Sequence, residues 1–187
     1  MPSGTTHDRI TLWTLPWIAG ISYGITRNGD LTLLVSGGFL FSGLMFGPDL
    51  DIRSVQLKRW GLLRGIWTPY RRLLHHRSLF SHGLIIGTCI RVLYLFIFVT
   101  WLSIFVVGIA QLFLGFPWNW QQFVVRQFNL LSHHYQKESL SVFVGLELGA
   151  LSHSLSDWID SNRKKRLKKK QLKKQSKIQT KTQTKTR

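Results

Sequence analysis

The strongest apolar span of the sequence runs from residue 92 to 116, contains 25 residues without a charge, and is followed by Pro117. A helix of ~20 apolar residues crosses the ~30 Å hydrocarbon core of a bilayer, because each residue adds ~1.5 Å. This stretch is long enough to cross a membrane. It therefore favours a membrane protein over a soluble one.

Three weaker apolar segments accompany this span. Residues 10–26 and 31–47 are uncharged, and the RNGD sequence between them predicts a tight turn and hence a helical hairpin. Residues 139–159 form a span that contains Glu147, His153 and Asp157. Glycines four residues apart, which let helices approach closely, occur in two of these segments: Gly43 with Gly47, and Gly145 with Gly149. The sequence predicts an all-α polytopic membrane protein, a four-helix up-down bundle with a cytoplasmic loop.

The C-terminal 25 residues differ sharply in composition from the rest of the chain. Residues 163–187 hold 13 of the 25 Lys and Arg residues and no acid, so they contribute most of the net charge of +17. A segment this polar buries too little apolar surface to offset its ordering entropy, and we expect it to be disordered. We therefore divide the chain into a four-helix transmembrane domain at 1–162, whose candidate metal ligands are described below, and a disordered Lys-rich cytoplasmic tail at 163–187.

Basic residues also indicate the orientation and the partners of the chain. With four spans, 21 Lys and Arg residues lie on the side of the tail, together with the N-terminus and the 49–81 loop, and three lie opposite. Basic loops stay in the cytoplasm, so both termini are expected there, on a plasma or internal membrane. Anionic lipid headgroups are the expected partner of the tail; nucleic acid is disfavoured because no stacking aromatics accompany the lysines. An unknown partner is the third alternative.

Metal-ligating residue types gather at the cytoplasmic helix ends. In an up-down bundle these four ends are neighbours, so residues far apart in sequence can share one site. His153 and Asp157 are four apart on one helical face, a spacing that suits one shared cation or a carboxylate that orients the imidazole. The other candidates are His7, Asp8, Asp49, Asp51, His75, His76 and His82.

Several of these candidates also have structural explanations. Asp8, three residues after Thr5, is expected to cap the first helix, and Asp49 and Asp51 can pair with neighbouring arginines. His75 should point away from its neighbour His76.

Two further positions depend on the local fold. His76 and His82 share a metal only if the chain turns between them, at Ser78 or Ser81. Glu147 has two open roles, in the site or as a partner of Arg91.

Four sequence motifs resemble a known family. The stretches PSGTTHD (2–8), MFGPDLD (45–51), HRSLFSHG (76–83) and VGLELGALSHSLSDW (144–158) resemble the uncharacterised membrane-bound metal-binding protein family. The chain is similar, more distantly, to membrane-bound metal-dependent hydrolases that have a PDxD, an HRxxxxH and a late HxxxD. The resemblance covers roughly residues 1 to 160. It implies metal-site roles for His7, Asp49, Asp51, His76, His82, His153 and Asp157.

The donor set predicts the metal chemistry. Four His and three Asp exceed the four ligands of one tetrahedral zinc, so two ions, or one ion with outer carboxylates, are expected. The one cysteine, Cys89, excludes a thiolate cluster, and mixed nitrogen and oxygen ligands suit zinc first, with manganese or iron as alternatives.

Such metals activate water for hydrolysis of a lipid or soluble phosphoester. We assign Asp51 as the candidate general base. Arg77 is the candidate phosphate ligand beside Arg71 and Arg72, with pairing to Asp49 or Asp51 as its alternative role.

The leading functional hypothesis is an integral membrane metal-dependent hydrolase that acts on an ester or phosphoester at the cytoplasmic face. The alternative is a non-catalytic scaffold or metal-ion carrier with a structural site. Transport ranks third, because only Arg91 and Glu147 offer charge within the bilayer. Three aromatic residues are expected to hold the 49–81 loop at the membrane surface, namely Trp60, Trp67 and Tyr70.

Overall fold

The computed structural model describes residues 4–74 and 83–185, and every regular element in these ranges is helical. The predicted all-α class is confirmed for this part of the chain. The α-helices are α1 (Gly4–Thr26), α2 (Gly29–Leu44), α3 (Val55–Arg59), α4 (Trp67–Leu73), α5 (Ile86–Leu114), α6 (Trp120–Asn129) and α7 (Gln136–Lys185). Short 3₁₀ turns occupy Pro48–Asp51 and Gly61–Ile66, and a π turn occupies Leu130–His134.

Helices α1 and α2 form the predicted hairpin. Only Arg27 and Asn28 separate them, and Arg27 adopts a positive φ of 50° that reverses the chain. The Asn28 side chain accepts a hydrogen bond of 3.0 Å from the Leu31 amide and so caps α2.

Helix α7 lies directly on α2 because glycines line their contact. A methyl group added at Gly38 would lie 2.7 Å from the Val142 carbonyl oxygen, and one at Gly149 would lie 2.6 Å from the Phe39 carbonyl oxygen. A methyl group at Gly145 would clash with the α2 backbone in the same way. The predicted Gly145 and Gly149 pair is thus a helix contact. Gly43 instead meets Thr11 of α1, and Gly47 lies beyond the end of α2 against Gln56.

The hydrophobic core lies beneath the Pro48–Asp51 turn. Trp67 and Tyr70 are 0% and 2% exposed and pack edge to face at 5.4 Å. Their expected position at a membrane surface is therefore wrong, because the aromatic cluster removes more of their apolar area from water. Trp60 is half-buried and donates a hydrogen bond of 2.9 Å to the Met45 carbonyl oxygen. The cluster is completed by Phe46, Leu50, Leu57 and Leu146.

Helix α5 contains the strongest predicted span. In the described ranges it is the one helix long and apolar enough to cross a membrane, with 29 residues, of which the most apolar 18 have a mean hydropathy of 2.6. Helix α2, with 16 residues, is apolar but shorter. Near its start α5 packs on the core through Ile90 and Tyr94, whereas an apolar cavity of about 560 Å³ lies between it and α2 and α7. The close packing thus joins α1, α2 and α7. The predicted bundle of four spans stays a prediction.

The basic tail differs from its sequence expectation. Helix α7 continues without interruption to Lys185, where the composition favours disorder. No Gly or Pro follows Gly149, and Lys, Gln and Leu have high helix propensity, so nothing in the local sequence ends the helix. The side chains of residues 163–172 are exposed.

Candidate metal centre

Three potential ligands from the two ends of the chain meet in one place. His7 lies near the start of α1, and His153 and Asp157 lie one turn apart on α7. Their ligand atoms lie within 4.8 Å of one another, and His7 Nε2 is 3.3 Å from Asp157 Oδ1. His7 and His153 are buried, being 7% and 5% exposed. The packing of α1 and α7 against α2 thus brings residues about 150 positions apart into one cluster.

Asp49 joins this cluster from the Pro48–Asp51 turn. Pro48 starts the turn and fixes the backbone just after α2. Asp49 Oδ2 lies 3.2 Å from His153 Nε2, which is also 3.7 Å from Asp157 Oδ2. We refer to His7, Asp49, His153 and Asp157 as the donor cluster.

The two imidazoles of the donor cluster stack on each other. Their centroids are 4.0 Å apart and their planes differ by 19°. Two charged rings at this distance would repel each other. Burial and the neighbouring His153 lower the pKa of His7, whereas Asp157 and Asp49 raise it, with a net lowering. The neutral imidazole, which is the form that binds metals, is therefore favoured at neutral pH.

A serine orients the His7 ring. The Ser156 hydroxyl donates to the His153 carbonyl oxygen at 2.8 Å and lies 2.7 Å from His7 Nδ1. A hydroxyl has one proton to donate, and the Ser156 proton goes to the His153 carbonyl oxygen. The Ser156 oxygen must therefore accept a hydrogen bond from His7, so Nδ1 of His7 carries the ring proton. The lone pair of the neutral ring then lies on Nε2 and points to Asp157. Ser156 therefore presents Nε2 as a ligand atom.

The donor cluster fits a divalent cation. Two ligand atoms each ~2.0–2.1 Å from a tetrahedral zinc lie about 3.3 Å apart, and the two closest nitrogen–oxygen pairs here measure 3.3 and 3.2 Å. Among the described residues, neither ring nitrogen of His153 makes a hydrogen bond, although the ring is buried. Metal-ligating carboxylates bind as anions and imidazoles as neutral rings, so two of each supply two negative charges, which a divalent ion balances.

A cavity of about 230 Å³ opens beside the donor cluster. His7, Asp49 and His153 line it together with Asp8, the apolar Ile52 and Val55, and basic and polar residues that include Arg53, Ser54, Gln56, Lys58 and Arg59. At ~30 Å³ per molecule, this volume holds several waters. The donor cluster is thus adjacent to space for water.

The family of the chain agrees with this geometry. Residues 2–167 match the family described as Uncharacterized metal-binding protein (DUF2227). The chain belongs to this family. No curated protein and no solved structure shows significant similarity to it. Metal binding is thus supported by the family description and by the donor cluster, and neither identifies the metal.

Asp51 has different neighbours from Asp49. It is buried at 6% exposed, and its charge acts on Tyr70 and Arg91. Burial, assisted by Asp51 and opposed by Arg91, raises the pKa of Tyr70 to about 12. Within the described ranges, Asp51 is therefore not among the residues that meet at the donor cluster, and its predicted role as metal ligand and general base stays a prediction.

Two other candidate carboxylates have partners outside the donor cluster. Asp8 forms a two-pronged ion pair with Arg59, whose guanidinium also donates to the Leu44 carbonyl oxygen at 2.8 Å. This contact raises the pKa of Arg59. Glu147 Oε1 accepts a hydrogen bond of 2.8 Å from the Ile85 amide, at the start of α5. Both carboxylates thus tie elements together.

The histidine-rich motif falls between the two described ranges of the chain. His75, His76, Arg77 and His82 lie outside the described residues, as do Ser78 and Ser81. Their predicted roles stay predictions.

Ser156 is the functional residue that the sequence reasoning missed. It precedes Asp157 and follows His153 by three positions, so helical spacing alone places it near their face. That spacing was the available signal. What the sequence does not contain is the position of α1, which brings His7 to the serine.

Proposed function

We propose that this metal-binding protein is an integral membrane metal-dependent hydrolase that acts on an ester or phosphoester at the cytoplasmic membrane face. The observation that carries the proposal is the cavity of about 230 Å³ beside His7, Asp49 and His153. A catalytic site needs room for water next to the metal, whereas a purely structural site is closed by protein ligands. A bound divalent ion would make such a water more acidic.

The chain's own residues have separable tasks in this proposal. His7, His153 and Asp157 hold the cation, zinc first and manganese or iron as alternatives. Ser156 keeps His7 Nε2 directed at the site. Asp49 borders the cavity, so its carboxylate is placed to accept a proton from water there.

The proposal also has a place for the residues that the structure does not describe. His76 and His82, together with Asp51, would supply ligands to a second ion or complete the first. Arg77 would bind the anionic part of the substrate.

The surface of the molecule supports a membrane location. The first turns of α5 pack on the core, but none of its most apolar 18 residues is buried, and Leu93, Ile97 and Trp101 are each more than half exposed. An apolar surface of this kind is unfavourable in water. Large side chains of α1 also face outward, with Trp13 76% exposed and Ile25 78% exposed. In the proposed orientation both termini are cytoplasmic and the basic end of α7 contacts anionic headgroups.

Elemental analysis of the detergent-purified protein tests the metal site. We expect stoichiometric metal in the wild type and its loss in the double variant His153→Ala, Asp157→Ala. The matched control is His133→Ala, Asp30→Ala, which removes the same two side-chain types at exposed positions. Equal metal content in the two double variants would refute the donor cluster as the site.

A structural metal site is the second candidate function. The donor cluster joins α1, the Pro48–Asp51 turn and α7, so an ion there would fix three elements to each other. This would make the protein a scaffold or metal-ion carrier. A screen of phosphomonoesters, phosphodiesters and carboxylic esters separates the two. Turnover that disappears in His153→Ala, Asp157→Ala supports the hydrolase, and full metal occupancy without turnover of any class supports the scaffold.

A further inference from the structure

A second cavity, of about 550 Å³, lies on the surface formed by α3, α4 and the turn between them. Its charged lining is entirely basic, and Thr68 adds a hydroxyl group. We call it the basic cavity. Its four cationic side chains are Arg53, Lys58, Arg64 and Arg71.

In the part of the chain that the structure describes, none of these four cations forms an ion pair with an acid. The sequence contains no Asp or Glu from residue 52 to 137, and the acids Asp8 and Asp49 line the adjoining cavity of about 230 Å³ rather than the basic cavity. Within the described ranges, Arg53, Lys58 and Arg64 form no ion pair or hydrogen bond, and Arg71 donates at 3.4 Å to the main-chain oxygen of Asp51. Arg59 nearby is different, because Asp8 pairs with it. Several like charges around one cavity repel one another unless an anion binds.

The basic cavity adjoins the space beside the donor cluster. Arg53 and Lys58 line both cavities. An anion among the four cations would therefore lie next to the space that adjoins His7 and Asp49. This arrangement matches a substrate with one anionic group to be held and one bond to be cleaved.

We propose that the basic cavity binds the phosphate group of the substrate. The inference rests on the proposed hydrolase and narrows its substrate to phosphate-bearing esters. Phosphate suits the cavity because guanidinium groups bind it in a planar, two-pronged way and Thr68 can donate to a further oxygen. The phosphate belongs either to a lipid headgroup or to a soluble phosphoester.

Equilibrium dialysis with radiolabelled inorganic phosphate tests the proposal, using the full chain in phosphatidylcholine nanodiscs. The variant is Arg53→Gln, Arg64→Gln. The matched control is Arg126→Gln, Lys137→Gln, which removes the same charge from exposed positions that do not line the basic cavity. We expect saturable binding in the wild type and the control, and binding roughly tenfold weaker in the variant, because charge-assisted hydrogen bonds are lost.

The metal content of the same samples keeps the two proposals apart. We expect phosphate to bind to the variant His153→Ala, Asp157→Ala and to bind much more weakly to the variant Arg53→Gln, Arg64→Gln. This result would assign the anion to the basic cavity, whether or not the wild type contains metal. Equal phosphate binding by the Arg53→Gln, Arg64→Gln variant and its matched control would overturn the proposal, as would no saturable binding to the wild type. The circular dichroism spectrum of each variant is compared with that of the wild type. An unchanged helical signal establishes that the variant is folded.

A competition arm identifies the source of the phosphate. Nanodiscs that contain phosphatidic acid are compared with nanodiscs that contain phosphatidylserine at equal charge. Selective displacement of inorganic phosphate by phosphatidic acid assigns the site to a lipid headgroup. Displacement by neither lipid, with binding intact, assigns it to a soluble phosphoester.

Discussion

At the scale of single residues, the state of the donor cluster depends on one hydroxyl proton. Ser156 donates that proton to the His153 carbonyl oxygen and therefore accepts from His7 Nδ1. The serine thus links the two stacked imidazoles, through the main chain of one and the ring of the other. Ser156 is not itself a metal ligand, but it determines which nitrogen of His7 can bind a metal.

Ser156→Ala should weaken metal binding while leaving all four donor residues in place. We expect the affinity to fall about 10- to 100-fold, as for other partners that orient a metal-ligating histidine. Chelator competition with the purified protein measures it. The matched control is Ser152→Ala on the same helix, and an equal effect of the two substitutions would contradict the role of Ser156.

The pH dependence of stability follows from His7. Its lowered pKa means that, in the metal-free protein, the unfolded chain takes up a proton near the ordinary value of 6.5 before the folded chain does. The free energy of unfolding should be highest above this pH and decrease as the pH falls towards the folded-state pKa. Thermal unfolding of chelator-dialysed protein measures the slope. His7→Gln should flatten it, and an unchanged slope would exclude His7 as its cause.

At the scale of elements, the contact of α2 with α7 positions the site. Gly38, Gly145 and Gly149 let the two backbones approach, and His153 follows Gly149 by one turn of the same helix. The Pro48–Asp51 turn then directs Asp49 to His153, while Asp51 interacts with Tyr70 and Arg91. Helix packing and one short turn therefore determine which carboxylate reaches the histidines.

Alanine substitutions of glycines should change stability in opposite directions at two positions. Gly145→Ala introduces a methyl group into the α2 backbone and should destabilise the fold by about 1–3 kcal/mol. Gly37→Ala is the control, because a methyl group there meets nothing within 4 Å and should stabilise α2 by about 0.5–1 kcal/mol. Thermal unfolding in detergent gives the melting temperatures of the two variants. Equal changes in melting temperature would mean that α2 and α7 do not touch at Gly145.

At the scale of the whole molecule, the donor cluster connects the first helix to the last. His7 and Asp157 lie near opposite ends of the folded domain's sequence, and Asp49 brings in the turn above the aromatic core. An ion bound there would cross-link these elements in addition to their packing and to the hydrogen bond between Ser156 and His7. Binding to the folded state alone stabilises it by mass action.

Metal removal should therefore lower the melting temperature of the wild type. At a free metal concentration ~1,000 times Kd, the stabilisation is about 4 kcal/mol. Differential scanning fluorimetry with and without chelator measures the shift. The variant His153→Ala, Asp157→Ala should not respond to chelator, and a similar shift in both proteins would place the stabilising metal elsewhere.

The sequence alone predicted the helical class, the α1–α2 hairpin and the Gly145 and Gly149 contact, because each depends on local periodicity or spacing. It also selected the residues that meet in the donor cluster. It misplaced Trp67 and Tyr70, since aromatic residues suit a membrane interface and a protein core equally well. It assigned both Asp49 and Asp51 to the metal site, and Asp51 also to the role of general base, because the spacing of two residues in a turn does not determine where each side chain points.

The amino-acid sequence by itself determined two properties of this protein. They are the uncharged length of residues 92–116 and the types of metal-ligating side chain in the motifs. The tertiary structure decided which donors meet, how Ser156 fixes the His7 ring, and that Arg53 and Lys58 lie between two cavities. Composition and spacing act over a few residues, whereas a site built from residues 7, 49, 153 and 157 exists only after the helices have packed. The distances between its atoms are a result of that packing.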